Sequence, residues 1–104
     1  MNYTCFIVKI VNQPIFSRFD GDISLVELTV KFSSIRKTKM VDTFRILVWG
    51  TLAEETMKYY HKNDYIIVEG YIRNFSEPGE MEQVEISARK IYPFLLKTKP
   101  NLLI

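Results

Sequence analysis

Trp49 and Arg45 lie four residues apart in a stretch, residues 43–49, whose apolar positions alternate. They therefore share one side of a strand, opposite Phe44, Ile46 and Val48. Lys31 falls on the solvated side of the preceding predicted strand, and Tyr71 and Arg73 share the outward side of a later one. Phe75 stands at the base of a short hairpin and Arg36, Lys37 and Lys39 in a basic loop, with Lys9, in the first strand, and Arg18 weaker candidates. Flat π faces offer planar rings a surface to stack on, and spaced cations attract a chain of anions. Together these meet the needs of sequence-tolerant binding to a single nucleic-acid strand. A stacking contact is worth about 1–3 kcal/mol, and the cations add a salt-dependent term through counterion release. Each residue also has a plainer reading. Trp49 can pack under a helix or at a subunit contact, Phe75 can cover the barrel mouth, Tyr71 can be an ordinary strand tyrosine, and surface cations are often merely solvated.

Catalytic chemistry finds no comparable grouping. His61, the one histidine, sits at a predicted helix end, where a cation complements the dipole. Glu54 and Glu55 are adjacent on a helix, so they point apart and cannot flank a substrate. Glycines 21, 50, 70 and 79 are scattered and make no phosphate loop. The single cysteine, Cys5, excludes an internal disulfide and a cysteine-rich zinc site, and its apolar surroundings predict a buried thiol. No enzyme, metal or cofactor is expected.

The 104 residues suit one domain, with 47% hydrophobic and 25% charged residues, an ordinary globular balance. Fourteen Lys and Arg against twelve Asp and Glu leave a net charge of +2, too small to announce a polyanionic partner unless the charges are segregated. No apolar run approaches a membrane span. The start, Met1-Asn2-Tyr3-Thr4, carries neither secretory nor transit features, so the protein is expected to work where it is made.

Strand signals dominate the elements that must position these side chains. Residues 4–11 are β-rich and close at Asn12-Gln13-Pro14. After the turn Asp20-Gly21-Asp22, Val26, Leu28, Val30 and Phe32 alternate with Glu27, Thr29 and Lys31, the pattern of a half-buried strand. A polar loop over 33–41 leads to the third strand, 43–49. Thr51-Leu52-Ala53-Glu54 matches a capping box, predicting a helix to about His61 with Ala53, Met57 and Tyr60 on its inner side. Asn63 is suited to the left-handed conformation that stops it. Residues 65–73 and 81–92 make the last two strands, joined through Ser76-Glu77-Pro78-Gly79, and from Pro93 the chain reads as a tail. Three strands, a helix, then two strands is the order of a five-stranded, Greek-key oligonucleotide-binding (OB-fold) barrel, an all-β fold whose short helix between strands three and four plugs one end.

On specific residues the sequence resembles bacterial-type single-stranded-DNA-binding proteins. Trp49-Gly50-Thr51-Leu52-Ala53-Glu54, Tyr60, Asn63-Asp64 and Val68-Glu69-Gly70-Tyr71-Ile72 are similar to that family's WGKLAE…Y…KGD…VEGRL stretch. Met1-Asn2, Ile7-Val8, Pro14 and Arg18-Phe19 resemble its opening, and the Val26–Val30 stretch resembles its V-x-x-F-T-L-A-V strand. Tyr60-His61 and Ala88-Arg89-Lys90-Ile91-Tyr92-Pro93 are similar to the short cyanobacterial and plastid-encoded members. The resemblance implies a binding domain over 1–93 with a short tail over 94–104, stacking at Trp49, and a homo-oligomer, tetramer or dimer, formed through the first strand. Two departures stand out. Thr43 occupies a position that tends to be aromatic in the family, with Phe44 one place along. The chain stops at Ile104 with Lys97 and Lys99 near the end, so recruitment of replication proteins by an acidic tip is not expected.

The expected function is therefore protection of single-stranded DNA during replication or repair. RNA stays open, because stacking does not distinguish the sugar. The alternative is an OB-fold protein-interaction module for a replication or repair partner. A plastid-encoded protein fits the Ile-, Lys- and Asn-rich composition, with a bacterial cytoplasmic one as the alternative.

Overall fold

The computed structural model describes residues 3–33, 43–75 and 83–96. In chain order they form β1 (Tyr3–Ile10), β2 (Ile15–Phe19), β3 (Ile23–Phe32), β4 (Thr43–Trp49), α1 (Thr51–Tyr59), β5 (Tyr65–Phe75) and β6 (Gln83–Leu95). The strands run β1-β5-β6-β4-β3-β2, and a β1–β3 pairing at Val8, Lys9 and Ile10 closes the ring. The closed barrel thus has five strands, β1, β3, β4, β5 and β6, and the OB-fold expectation holds.

Alternation builds the core. Val8 and Ile10 from β1, Val26, Leu28 and Val30 from β3, Ile46 and Val48 from β4, and Ile66 and Val68 from β5 are completely buried. Burying each such side chain contributes roughly 1.5–3 kcal/mol. Phe32 was expected to follow Val30 inward. It sits instead at the barrel's rim, half-exposed, its ring edge-on to Phe6 and tilted against Phe44. Cys5 corrects another expectation. The inward positions of β1 are even-numbered, so the thiol falls on the outer face, opposite Glu69, and is exposed.

β2 was not anticipated, because Asn12-Gln13-Pro14 reads as the end of a strand. Val11 donates to the Thr29 carbonyl at 2.8 Å and Pro14 is buried, so the chain kinks without leaving the edge of β3. It then pairs again, from Ile15 opposite Glu27 to Phe19 opposite Ile23. β1 and β2 are one bent strand, and its second half is exposed throughout.

The capping box does not form. Gly50 is the N-cap, at φ 70°, and no side chain caps the helix. Glycine meets little steric cost at that angle. Its carbonyl accepts from the Ala53 and Glu54 amides, which leaves the Thr51 hydroxyl one position too late to cap. Glu54 instead accepts from the Ser24 hydroxyl at 2.9 Å, tying α1 to β3. The helix ends at Tyr59, two residues before the expected stop. Its inner side is as the pattern implied, with Ala53 and Tyr60 buried and Met57 against the core. Burial, then the charges of Glu55 and Asp64, push the Tyr60 phenol above its ordinary value. Asn63 takes φ 78°, and its amide donates to the Ile10 carbonyl, locking the helix exit to β1.

Gly70 sits where the β5–β6 register shifts, against Ser87 and Ala88. A Cβ there would collide with the Ser87 carbonyl oxygen. Beyond the expected strand end at Tyr92, β6 continues through Phe94 and pairs Leu95 with Tyr65.

Candidate nucleic-acid interface

The registers lay the outward side chains in rows across the barrel. Lys9, Lys31 and Thr43 form one row on β1, β3 and β4. Thr29, Arg45, Glu85 and Arg73 form the next, on β3, β4, β6 and β5. Tyr71 lies one row on, between Ser87 of β6 and Tyr3 of β1. The registers thus place Lys9, Lys31, Arg45, Arg73 and Tyr71 in neighbouring rows on the outer surface; the sequence reasoning had set Lys31 with Arg45 and Tyr71 with Arg73 on outward faces. Trp49, at the far end of β4, pairs with Leu25 and lies about 13 Å along the strand from Arg45 at 3.3 Å per residue. Phe75 is placed by its backbone, as the last residue of β5 opposite Gln83. Arg36, Lys37 and Lys39 lie outside the described residues.

The electrostatics of this surface are mixed. The Arg45 guanidinium pairs with the carboxylate of Glu85 at 3.0 Å and lies 3.8 Å from that of Glu27. Glu85 faces outward by its register, yet it is largely buried beneath this contact. Nothing in the local sequence announces the pair, since its partners are 40 residues apart. Lys9 holds its ammonium 5.9 Å from the centre of the Tyr65 ring.

Tyr71 is already engaged on this surface. Tyr3 meets it edge-on at 5.0 Å, and the Arg89 guanidinium stands 5.3 Å from its ring centre. Tyr3 donates its hydroxyl to Glu69 at 2.9 Å, and that bond, with lesser help from burial and the Glu69 charge, raises the Tyr3 pKa. Arg89, exposed at the β6 bulge, was quoted in the sequence reading only for its likeness to the family ending, although its odd position beside Glu85 and Ser87 already put it outward.

Trp49 stands in different company. It is 38% exposed, and the Phe19 ring meets it at 88° with 5.7 Å between centroids. Half-buried Leu25 and Leu47 lie beside it on the same face, and Ile23, opposite Phe19, is exposed. Phe19 was quoted only for its resemblance to the family opening. Its outward parity with Ile15 and Ser17 was the available signal, and the break at Pro14 hid it. Phe44, one place beyond the expected aromatic at Thr43, is buried in the core and supplies no outer platform.

Among the described residues no group of three or more His, Cys, Asp or Glu side chains could hold a metal ion. The His61 amide donates to Asp64 at 2.8 Å and its Nδ1 lies 3.8 Å from the same carboxylate oxygen, an arrangement that fastens the helix end. No helix among the described residues is long and apolar enough to cross a membrane.

The chain is similar to several known proteins. The single-strand binding protein family model matches residues 1–93. A protein of Trieres chinensis named "Putative single-stranded DNA-binding protein ycf41" is 45% identical over 103 residues, covering 92% of this chain and 91% of that one. Among solved structures, a small single-stranded DNA-binding protein from Streptomyces coelicolor superposes with a TM-score of 0.75 at 16% identity, covering 96% of this chain and all of the other. The second such protein from Mycobacterium smegmatis gives 0.73 at 21%, over 95% of this chain and 98% of its own. The SSB domain of a Synechococcus protein gives 0.72 at 22%, over 88% and 94%. These structural likenesses bear on the fold, and the match over residues 1–93 bears on ancestry: the chain belongs to the single-strand binding protein family.

Proposed function

We propose that this protein binds single-stranded DNA without sequence preference and protects it during copying or repair of a small genome. The observation that carries the reading is the exposed Trp49 indole on the outer face of a barrel of this family, with Lys31 and Arg73 on the same surface. In this mechanism a base stacks on Trp49 while phosphates run past Lys9, Lys31 and Arg73. Arg36, Lys37 and Lys39, between β3 and β4 in the chain, and Phe75 at the end of β5 contribute as well, and Arg45 contributes when a phosphate displaces a carboxylate. No covalent step is involved, and the protein is a binder rather than an enzyme. The extent of the family match supports a binding domain over 1–93 followed by a short tail.

A homo-oligomer forms through the first strand. β3 takes up only Val8, Lys9 and Ile10 of β1, which supports pairing of a second copy along the earlier part of that strand. The diatom relative's name and the composition favour a plastid-encoded protein.

The test is a titration of Trp49 fluorescence with oligo-dT at low and moderate salt. Quenching that weakens with salt is expected, and Trp49→Ala should lower affinity at least about tenfold, the equivalent of one stacked base, with the fold intact. A folded Trp49→Ala protein of unchanged affinity would exclude stacking there. A matched RNA oligomer in competition distinguishes the sugars.

A second reading, a protein-interaction module, is favoured by the apolar company of Trp49 and by exposed Tyr92, Phe94 and Leu95 near the end of β6. Absence of both quenching and a mobility shift with oligo-dT would select it.

A further inference from the structure

The outer side of β2 carries Ile15, Ser17 and Phe19, because their partners on β3, namely Glu27, Leu25 and Ile23, all face outward. Phe19 is 54% exposed, a large apolar ring left in water on a strand whose five residues are all exposed. Its perpendicular contact with Trp49 sets the edge of one ring against the face of the other. Such a contact covers a face of one ring only, and both rings stay partly exposed beside it.

On this side of β2 the neighbouring charges are acidic, since Arg18 turns to the other side, 5.6 Å from the Phe16 ring centre. Asp20 and Asp22 follow Phe19 in the turn to β3, and Glu27 stands opposite Ile15. Carboxylates hold phosphates off, whereas the uncharged face of a base meets no such barrier. An aromatic corner rimmed by acids is therefore suited to the bases of a strand and not to its backbone.

We propose that Phe19 is a second base-stacking platform, so that a strand leaving Trp49 continues onto β2. This rests on the reading that a single strand binds at Trp49. The two ring centroids are 5.7 Å apart, wider than the roughly 3.4 Å between stacked neighbours in a nucleic-acid strand. Successive bases must separate to meet the two rings, a demand that a single strand meets and a duplex does not. Because stacking without phosphate contact releases no counterions, the contribution of Phe19 is insensitive to salt.

The experiment compares the wild type, Phe19→Ala and Trp49→Ala by oligo-dT affinity at several salt concentrations. It is paired with photocrosslinking of the wild type to an oligomer carrying 5-iododeoxyuridine. The expected results are a loss of about fivefold or more for Phe19→Ala, an unchanged slope against salt, and crosslinks on both Phe19 and Trp49. Unchanged affinity for Phe19→Ala with crosslinks at Trp49 and none at Phe19 overturns the inference and leaves DNA binding standing. A change in self-association measured by light scattering, without a change in affinity, makes the β2 face a contact between copies and also overturns it. If the wild type does not bind oligo-dT, the binding reading falls and takes this one with it. Should Phe19→Ala fail to fold, the wild-type crosslinks decide.

Discussion

Two carboxylates set what the Arg45 guanidinium contributes. A phosphate approaching it must compete with Glu85 at 3.0 Å and with Glu27 at 3.8 Å. The guanidinium is solvated although Glu85 is largely buried, so each competing interaction is worth about 0.2–1 kcal/mol. Glu85→Gln keeps the shape of the side chain and removes its charge. The expected outcome is binding to oligo-dT tighter by about two- to fivefold, with a steeper dependence on salt, measured by fluorescence anisotropy. Weaker binding would instead assign Glu85 the task of holding Arg45 in its binding pose. At this scale parity along a single strand was a good guide, and it put Lys31, Arg45 and Trp49 on the outer surface from the sequence. The charge around Arg45 was not legible, because Glu85 reaches it through a pairing of β4 with β6 that no local pattern encodes. Cys5 was misjudged by its apolar neighbours, although its odd position among the even inward residues of β1 already decided its side.

Each element follows from a local rule, and the exceptions are where two rules compete. The alternations in β3 and β4 specified those strands and their faces, and the helix between β4 and β5 stood where the barrel order requires it. The capping box was overridden because Gly50 took the N-cap position and Ser24 claimed the Glu54 carboxylate. A proline that commonly closes a strand here only bends one, since the amide of Val11 still reaches Thr29 and pairing resumes at Ile15. The meeting of β5 and β6 depends on Gly70, whose missing side chain admits the Ser87 carbonyl. Gly70→Ala must push the two strands apart at the bulge, a distortion of the kind that costs about 1–3 kcal/mol or more. Thermal unfolding followed by circular dichroism should show a midpoint lower by several degrees, about 4–8 °C per kcal/mol for a domain of this size. An unchanged midpoint would mean that the bulge relaxes freely.

For the whole molecule the small net charge of +2 is informative once its distribution is known. With Arg45 paired to carboxylates, Lys9, Lys31 and Arg73 are the strand-facing cations proposed among the described residues. Each phosphate contact adds about 0.7 to the slope of log affinity against log salt for single strands, so these three supply about 2. Lys31→Ala should therefore reduce the measured slope by about 0.7 and leave the quenching of Trp49 at saturation unchanged. An unaltered slope would remove Lys31 from the phosphate path.

The parallel seam between β4 and β6 also bears on the order in which the barrel is assembled. It joins Arg45, Ile46 and Leu47 to Glu85, Ile86 and Ser87, residues 40 apart in the chain, through only three pairs. Hairpins such as β2–β3, joined by three residues, recover the entropy of their short loops early, whereas so distant and brief a pairing repays its loop closure late. Closure at the seam is therefore expected after the local hairpins have formed. Interactions across it, the Arg45–Glu85 contact among them, act chiefly on how slowly the finished barrel reopens and little on how fast it forms.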